Sequence, residues 1–76
     1  MHVPDRTATL IMAAEMAIRG RNVELLMATV ALGVNGDHRA QVGSRVGESL
    51  VAIAVAERWT DGQVLLASVW NPRHLS

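Results

Sequence analysis

The chain has 76 residues, of which half are hydrophobic, seven are arginine, seven are acidic and none is cysteine, and its formal net charge is zero. A chain of this length forms one small domain, here without disulfides or thiolate metal sites to stabilise it. The lack of a basic excess argues against a protein held by phosphate contacts to nucleic acid or to an anionic membrane. We predict a soluble, cytoplasmic protein. Its longest apolar run, residues 25–34, is about half of a membrane span, and its N-terminus lacks a signal-peptide layout.

The first predicted element is a helix over about residues 6–19. Asp5 or Thr7 is its candidate N-cap, with Pro4 just outside. Apolar residues then recur at i, i+3, i+4 spacing, and Gly20 ends the pattern.

A second helix is predicted over about residues 23–34, with Asn22 as its cap. This segment is apolar on nearly all sides, which is typical of a helix that is central or covered by another chain. The competing interpretation is a strand over residues 29–34, followed by an Asn35-Gly36 hairpin turn. The helix-prone run 25–28 favours the helix.

Residues 38–48 form the most polar part of the chain, after a break at Asn35-Gly36-Asp37. Gly43 and Gly47 each cost about 1 kcal/mol inside a helix. We therefore expect a weak short helix or an irregular loop.

The C-terminal part predicts an antiparallel β-hairpin with strands at about 49–59 and 63–70. Asp61-Gly62 between two apolar runs rich in β-branched residues is a strong hairpin signal. The rival interpretation is two helices, the second with a capping box formed by Thr60 and Gln63. The resulting fold class is α+β, and the alternative is a small all-α domain.

The hairpin register decides where the two tryptophans lie. A two-residue turn places Trp59 and Trp70 on one bulky face with Val64 and Leu66, whereas a three-residue turn separates the tryptophans. Both faces of such a hairpin are apolar, so one of them would need a partner. Residues 71–76 are predicted to be a flexible tail because Pro72 stops strand pairing.

Catalytic and metal chemistry finds little support in the sequence. His2, His38 and His74 have no second ligand at helix or hairpin spacing, and no two carboxylates stand out as acid and base. The stretch 43–47 is neither a nucleophile elbow nor a P-loop, and an anion contact through its amides and Arg45 is its best functional interpretation. We predict no enzyme activity, no catalytic residues, no metal and no cofactor.

Residues 31–42 loosely resemble a helix-turn-helix, and a following hairpin would complete a winged-helix order. Arg39, Gln41 and Arg45 would then contact nucleic acid. The neutral charge and the glycines of the would-be recognition helix count against this alternative, a small DNA-binding regulator.

The function we predict is a small protein–protein interaction module that binds itself or another protein. The chain has more apolar surface than one small core can absorb, although many of these residues are alanines. Tryptophan is enriched at interface anchors. The predicted interface comprises Trp59, Trp70, Val64 and Leu66 of the hairpin, together with Leu25 and Leu32.

Overall fold

The computed structural model describes residues 6–70 of the chain, and the side chains of residues 6–67. Within that range it has four α-helices: α1 (Arg6–Gly20), α2 (Val23–Ala31), α3 (Leu50–Ala56) and α4 (Thr60–Trp70). An isolated antiparallel bridge joins Arg39 and Ser49, and the described residues contain no sheet. The predicted α+β fold is therefore wrong, and the molecule is the small all-helical domain that stood as its alternative. The predicted tail, residues 71–76, lies outside the described residues.

α1 matches the helix expected at residues 6–19. It ends in a Schellman motif, in which Arg21 has a positive φ of 52° and the Asn22 N–H donates to the Ala17 carbonyl at 2.8 Å. Asn22 also caps α2, as predicted, because its side-chain oxygen accepts from the Leu25 N–H at 3.0 Å. A single turn thus joins the first two helices.

α2 confirms the helical interpretation of the second segment but ends at Ala31, three residues early. Gly33 has a φ of 113°, and the Val34 N–H donates to the Thr29 carbonyl at 3.0 Å, which closes another Schellman motif. The strand and the Asn35-Gly36 hairpin turn considered for this segment do not form.

The predicted C-terminal hairpin is wrong because the positive φ that its turn needed at Asp61-Gly62 lies at Arg58 instead. Arg58, with a φ of 56°, ends α3, and the Trp59 N–H donates to the Ala54 carbonyl at 3.0 Å. The Trp59 carbonyl then accepts the first helical bond of α4, from the Gln63 N–H at 3.1 Å. Asp61-Gly62 therefore lies in the first turn of a helix. The β-branched residues of α3 and α4 are tolerated because tertiary packing outweighs their weak helix propensity.

The connecting loop, residues 32–49, links the two helical hairpins and folds back on itself. The Ala40 N–H donates to the Glu48 carbonyl at 2.8 Å, and the Leu50 N–H donates to the His38 carbonyl at 2.9 Å. Residues 38–48 are thus the irregular loop that was one of the two expectations, with a tip at residues 41–47 that is exposed except at the half-buried Arg45.

The core lies between the two hairpins, with α1 packed on α2 and α3, and α4 packed on α2 and α3. The Arg21 guanidinium donates to the Glu57 carbonyl at 2.8 Å, so the α1–α2 and α3–α4 corners lie at the same end of the molecule. None of the helices in the described range is both long and apolar enough to cross a membrane. The buried apolar residues are Ile11, Ala14, Ala17, Ile18, Leu26, Val34, Ala40, Leu50, Ile53, Ala54, Trp59 and Leu66.

Candidate interaction surface

The outer faces of the last three helices carry almost no charge. Across the 9, 7 and 11 residues of α2, α3 and α4, the charged residues are Glu24 and Asp61. A surface helix normally has a charged or polar face opposite its buried stripe. Here alanines and three large apolar side chains, Met27, Val55 and Val64, take most of that place. The exposed large apolar residues are Met12, Met16, Met27, Leu32, Val42, Val46, Val55 and Val64.

An open groove of about 300 Å³ lies between the start of α2 and α4, lined by Val23, Asp61, Val64 and Leu65. Val23 and Leu65 are half-buried and pack against the core, so the floor of the groove is apolar. Val64 is 62% exposed. We call the four lining residues and Met27, which lies one turn after Val23 and is exposed, the α2–α4 face.

Val64 projects from this face because of its position on the helix. Gly62 and Leu66, two residues before and after it, are both buried. Positions two apart lie on roughly opposite sides of an α-helix, so Val64 points away from the core. Thr60 and Ala67, its neighbours at i−4 and i+3, are exposed and small, so neither of these two positions covers Val64 with a bulky side chain.

The charges near the groove come in opposite pairs. Each corner has an arginine at positive φ and an acid three residues later: Arg21 with Glu24, and Arg58 with Asp61. The Arg21 guanidinium donates a hydrogen bond to the Glu57 carbonyl. Within residues 6–70, neither Arg58 nor Asp61 forms an ion pair. Apart from Asp61, the α2–α4 face is therefore apolar, and the two helix corners carry both signs of charge.

The structure separates the residues predicted to form the interface. Trp59 is 7% exposed and Leu66 is fully buried, so both belong to the core, and Leu25 is half-buried against it. The Trp70 side chain lies outside the described part. Val64 and Leu32 are exposed, and Val64 lies in the groove.

The sequence analysis missed Val23, Asp61 and Leu65 as groove residues. The signal that could have found them is the near-absence of charge in residues 23–31 and 60–70, combined with helical rather than strand periodicity. With α4 assigned as a strand, Val64 and Leu66 appeared to share one face. In the helix they lie on opposite sides.

A second polar arrangement attaches the connecting loop to α1. The Glu15 side chain is 2% exposed, and its Oε1 accepts from the Gln41 N–H at 3.0 Å. Arg19 lies 3.6 Å from the Glu15 Oε2, which has no hydrogen bond. A Cβ placed on Gly43 would lie 2.7 Å from the Arg19 guanidinium. We call Glu15, Arg19, Gln41 and Gly43 the loop clasp.

The predicted nucleic-acid contacts lie in the connecting loop and make local interactions. The Arg39 guanidinium donates to the Gly47 carbonyl at 2.7 Å, Gln41 Nε2 donates to the Arg39 carbonyl at 3.2 Å, and Arg45 pairs with Glu48 at 3.2 Å. The recognition helix and the wing that a winged helix requires do not form among the described residues. DNA binding stays a hypothesis without that geometry.

The described histidine, which could serve metal binding or catalysis, makes a hydrogen bond to a nearby backbone group instead. His38 Nδ1 accepts from the Asn35 N–H at 3.1 Å. No three His, Cys, Asp or Glu residues in the described range are placed to hold a metal ion. Comparisons with protein-family models, with curated proteins and with solved structures found no match to this chain.

Proposed function

We propose that this protein is a small self-associating domain and that the α2–α4 face is its contact surface. The observation that carries the proposal is the groove of that face, an apolar recess beside the 62% exposed side chain of Val64. Covering an exposed Val, Leu or Met side chain contributes about 1.5–3 kcal/mol. A few such side chains are a substantial gain for a domain with so small a core.

The groove suits protein side chains better than a small molecule. Its volume of about 300 Å³ is at the lower limit of ligand sites, which also bury most of their ligand and place several polar groups around it. This groove is open and has a single charged lining residue, Asp61.

The charge pattern favours a second copy of the chain as the partner. A strongly acidic or basic partner would meet like charge at one residue of each Arg–acid pair at the corners. The chain itself is neutral and offers the same balanced edge and the same apolar face. Self-association is therefore compatible in both charge and polarity.

The dimensions of the face predict a weak association. α4, with 11 residues, is about 16 Å long, and α2, with 9, is about 13 Å long. Two packed helices lie about 8–10 Å apart. Such a face is smaller than the roughly 800 Å² per partner of a standard interface, so we expect micromolar rather than nanomolar affinity.

The test is the molar mass by light scattering across a series from low micromolar to millimolar protein. We expect a monomer at the low end and a dimer at the high end for the natural sequence. Val64→Asp should stay monomeric, because it places a charge in the apolar contact. Val55→Asp is the matched control: Val55 on α3 is 55% exposed and is not a groove residue.

A constant monomer mass for the natural sequence across the series would overturn the proposal. So would an equal loss of association in the two variants, because the α2–α4 face would then have no special role. Circular dichroism of both variants checks that their helices are intact.

A further inference from the structure

We infer that the self-association is a closed two-fold dimer in which the Val64 side chain of each copy enters the groove of the other. This inference rests on the proposed self-association and adds its symmetry and its central residue. The motivating geometry is a protruding side chain and a recess on one face, with Val64 belonging to both.

A self-complementary face needs a projecting group and a matching recess at short range. Val64 projects because Gly62 and Leu66 take the buried side of α4. The recess next to it is floored by Val23 and Leu65, which are already half-buried. Suppose two such faces meet around a two-fold axis close to Val64. The Val64 side chain of each copy then enters the recess of the other copy, and symmetry makes the two contacts identical.

The small residues of α4 allow this close approach. Thr60 and Ala67 flank Val64 and carry no long side chain that would hold two α4 helices apart. Small residues at a helix contact let backbones come near one another. The Val64 positions of the two copies are therefore expected to lie close together across the axis.

The same geometry sets the size of the assembly. In a two-fold contact both copies use the same surface, so no free copy of that surface remains and growth stops at two. A head-to-tail contact would instead leave an unused face at each end and give longer assemblies. The inference thus specifies a dimer and excludes a concentration-dependent series of larger species.

The experiment is oxidative cross-linking of a single-cysteine variant. The chain has no cysteine, so Val64→Cys can only form a disulfide between copies. A disulfide needs Cα atoms about 4.4–6.8 Å apart. We expect Val64→Cys to give a covalent dimer in high yield under mild oxidation, and Val55→Cys, the similarly exposed control, to give only the background of random collisions. Light scattering of reduced Val64→Cys measures how much non-covalent dimer this variant still forms, because the smaller Cys side chain fills the groove less than Val does.

The outcomes separate this inference from the proposed function. If the natural sequence is monomeric at every concentration, the proposed function fails and the inference with it. If it dimerises and Val64→Asp prevents this, but Val64→Cys cross-links no better than Val55→Cys, the contact face stands and the two-fold axis at Val64 is wrong. Masses beyond the dimer would likewise overturn the closed arrangement.

Discussion

Gly62 and Trp59 form the contact on which the α3–α4 corner depends. A Cβ on Gly62 would overlap the Trp59 ring at its Cε3 atom, so the indole lies directly on the first turn of α4. Glycine is needed at this position for the close approach of the ring, and the positive φ that a hairpin would have required is carried by Arg58 instead. The tryptophan is therefore a core residue packed on the corner between α3 and α4.

Gly62→Ala should destabilise the fold by about 1–3 kcal/mol, because the buried indole must shift and the gain in helix propensity is smaller than the cost of overpacking. Gly20→Ala is the matched control, since nothing lies within 4 Å of a Cβ at Gly20, and it should be neutral or stabilise by up to about 1 kcal/mol. Urea unfolding measures both. Equal effects of the two substitutions would contradict the close contact.

Two arginines occupy left-handed backbone positions where glycine is more usual. Arg21 and Arg58 have φ values of 52° and 56°, a conformation that costs a non-glycine residue about 1–2 kcal/mol. Arg21 offsets part of this cost through its bond to the Glu57 carbonyl. Arg58 has no such partner among the described residues, which leaves its side chain available at the edge of the proposed contact.

Arg58→Gly should raise the free energy of unfolding by about 0.5–1 kcal/mol, because the relief of backbone strain exceeds the added entropy of the unfolded chain. Arg21→Gly should gain less or nothing, because it also removes the bond between the two corners. Urea midpoints measured on dilute, monomeric protein compare them. A larger gain for Arg21→Gly would contradict the role given to that bond.

The loop clasp joins the tip of the connecting loop to α1 through a buried carboxylate. Ala40 is its buried anchor near the tip, and Glu15 supplies a hydrogen bond to the Gln41 amide from inside the protein. The second oxygen of Glu15 is served only by Arg19 at 3.6 Å. A carboxylate in this position fixes the loop, at the cost of burying a polar group.

Glu15→Ala should release the loop tip and destabilise the domain by about 1.5–3 kcal/mol, the usual worth of a hydrogen bond to a charged group. Hydrogen exchange at the Gln41 amide should accelerate strongly. Glu48→Ala removes the ion pair between Arg45 and Glu48, whose two side chains are both partly exposed, and should cost less than about 1 kcal/mol. Continued protection of the Gln41 amide in Glu15→Ala would show that the clasp does not hold the loop.

Local signals predicted α1 and the Asn22 cap, because those features depend on neighbours in the sequence. The prediction of a C-terminal hairpin was wrong because the conformation there depends on a tertiary contact. Asp61-Gly62 is compatible with a tight turn or with the first turn of a helix, and the choice is made by the contact between Gly62 and Trp59. The groove depends on α2 and α4, which are separated in the chain by the connecting loop and α3, and α4 was assigned as a strand.

The whole molecule has a small core, so association should contribute visibly to its stability. Binding that occurs only in the folded state adds stability that grows with concentration. We expect the Tm of the natural sequence to rise by several degrees between low micromolar and millimolar protein, since about 1 kcal/mol corresponds to about 4–8 °C for a domain of this size. The Tm of Val64→Asp should not change with concentration. If the Tm of both proteins rose by the same amount, the concentration dependence could not come from association through the α2–α4 face.

The way the connecting loop folds back has a consequence for how the chain can be divided. The exposed peptide between Ser44 and Arg45 lies at the tip, whereas the bonds that join Ala40 to Glu48 and His38 to Leu50 lie on the core side of it. A chain opened at that peptide keeps α1 and α2 on one fragment and α3 and α4 on the other, with every contact between them still available. The two helical hairpins are thus natural halves of a split protein, whose reassembly could report when two fused partners meet.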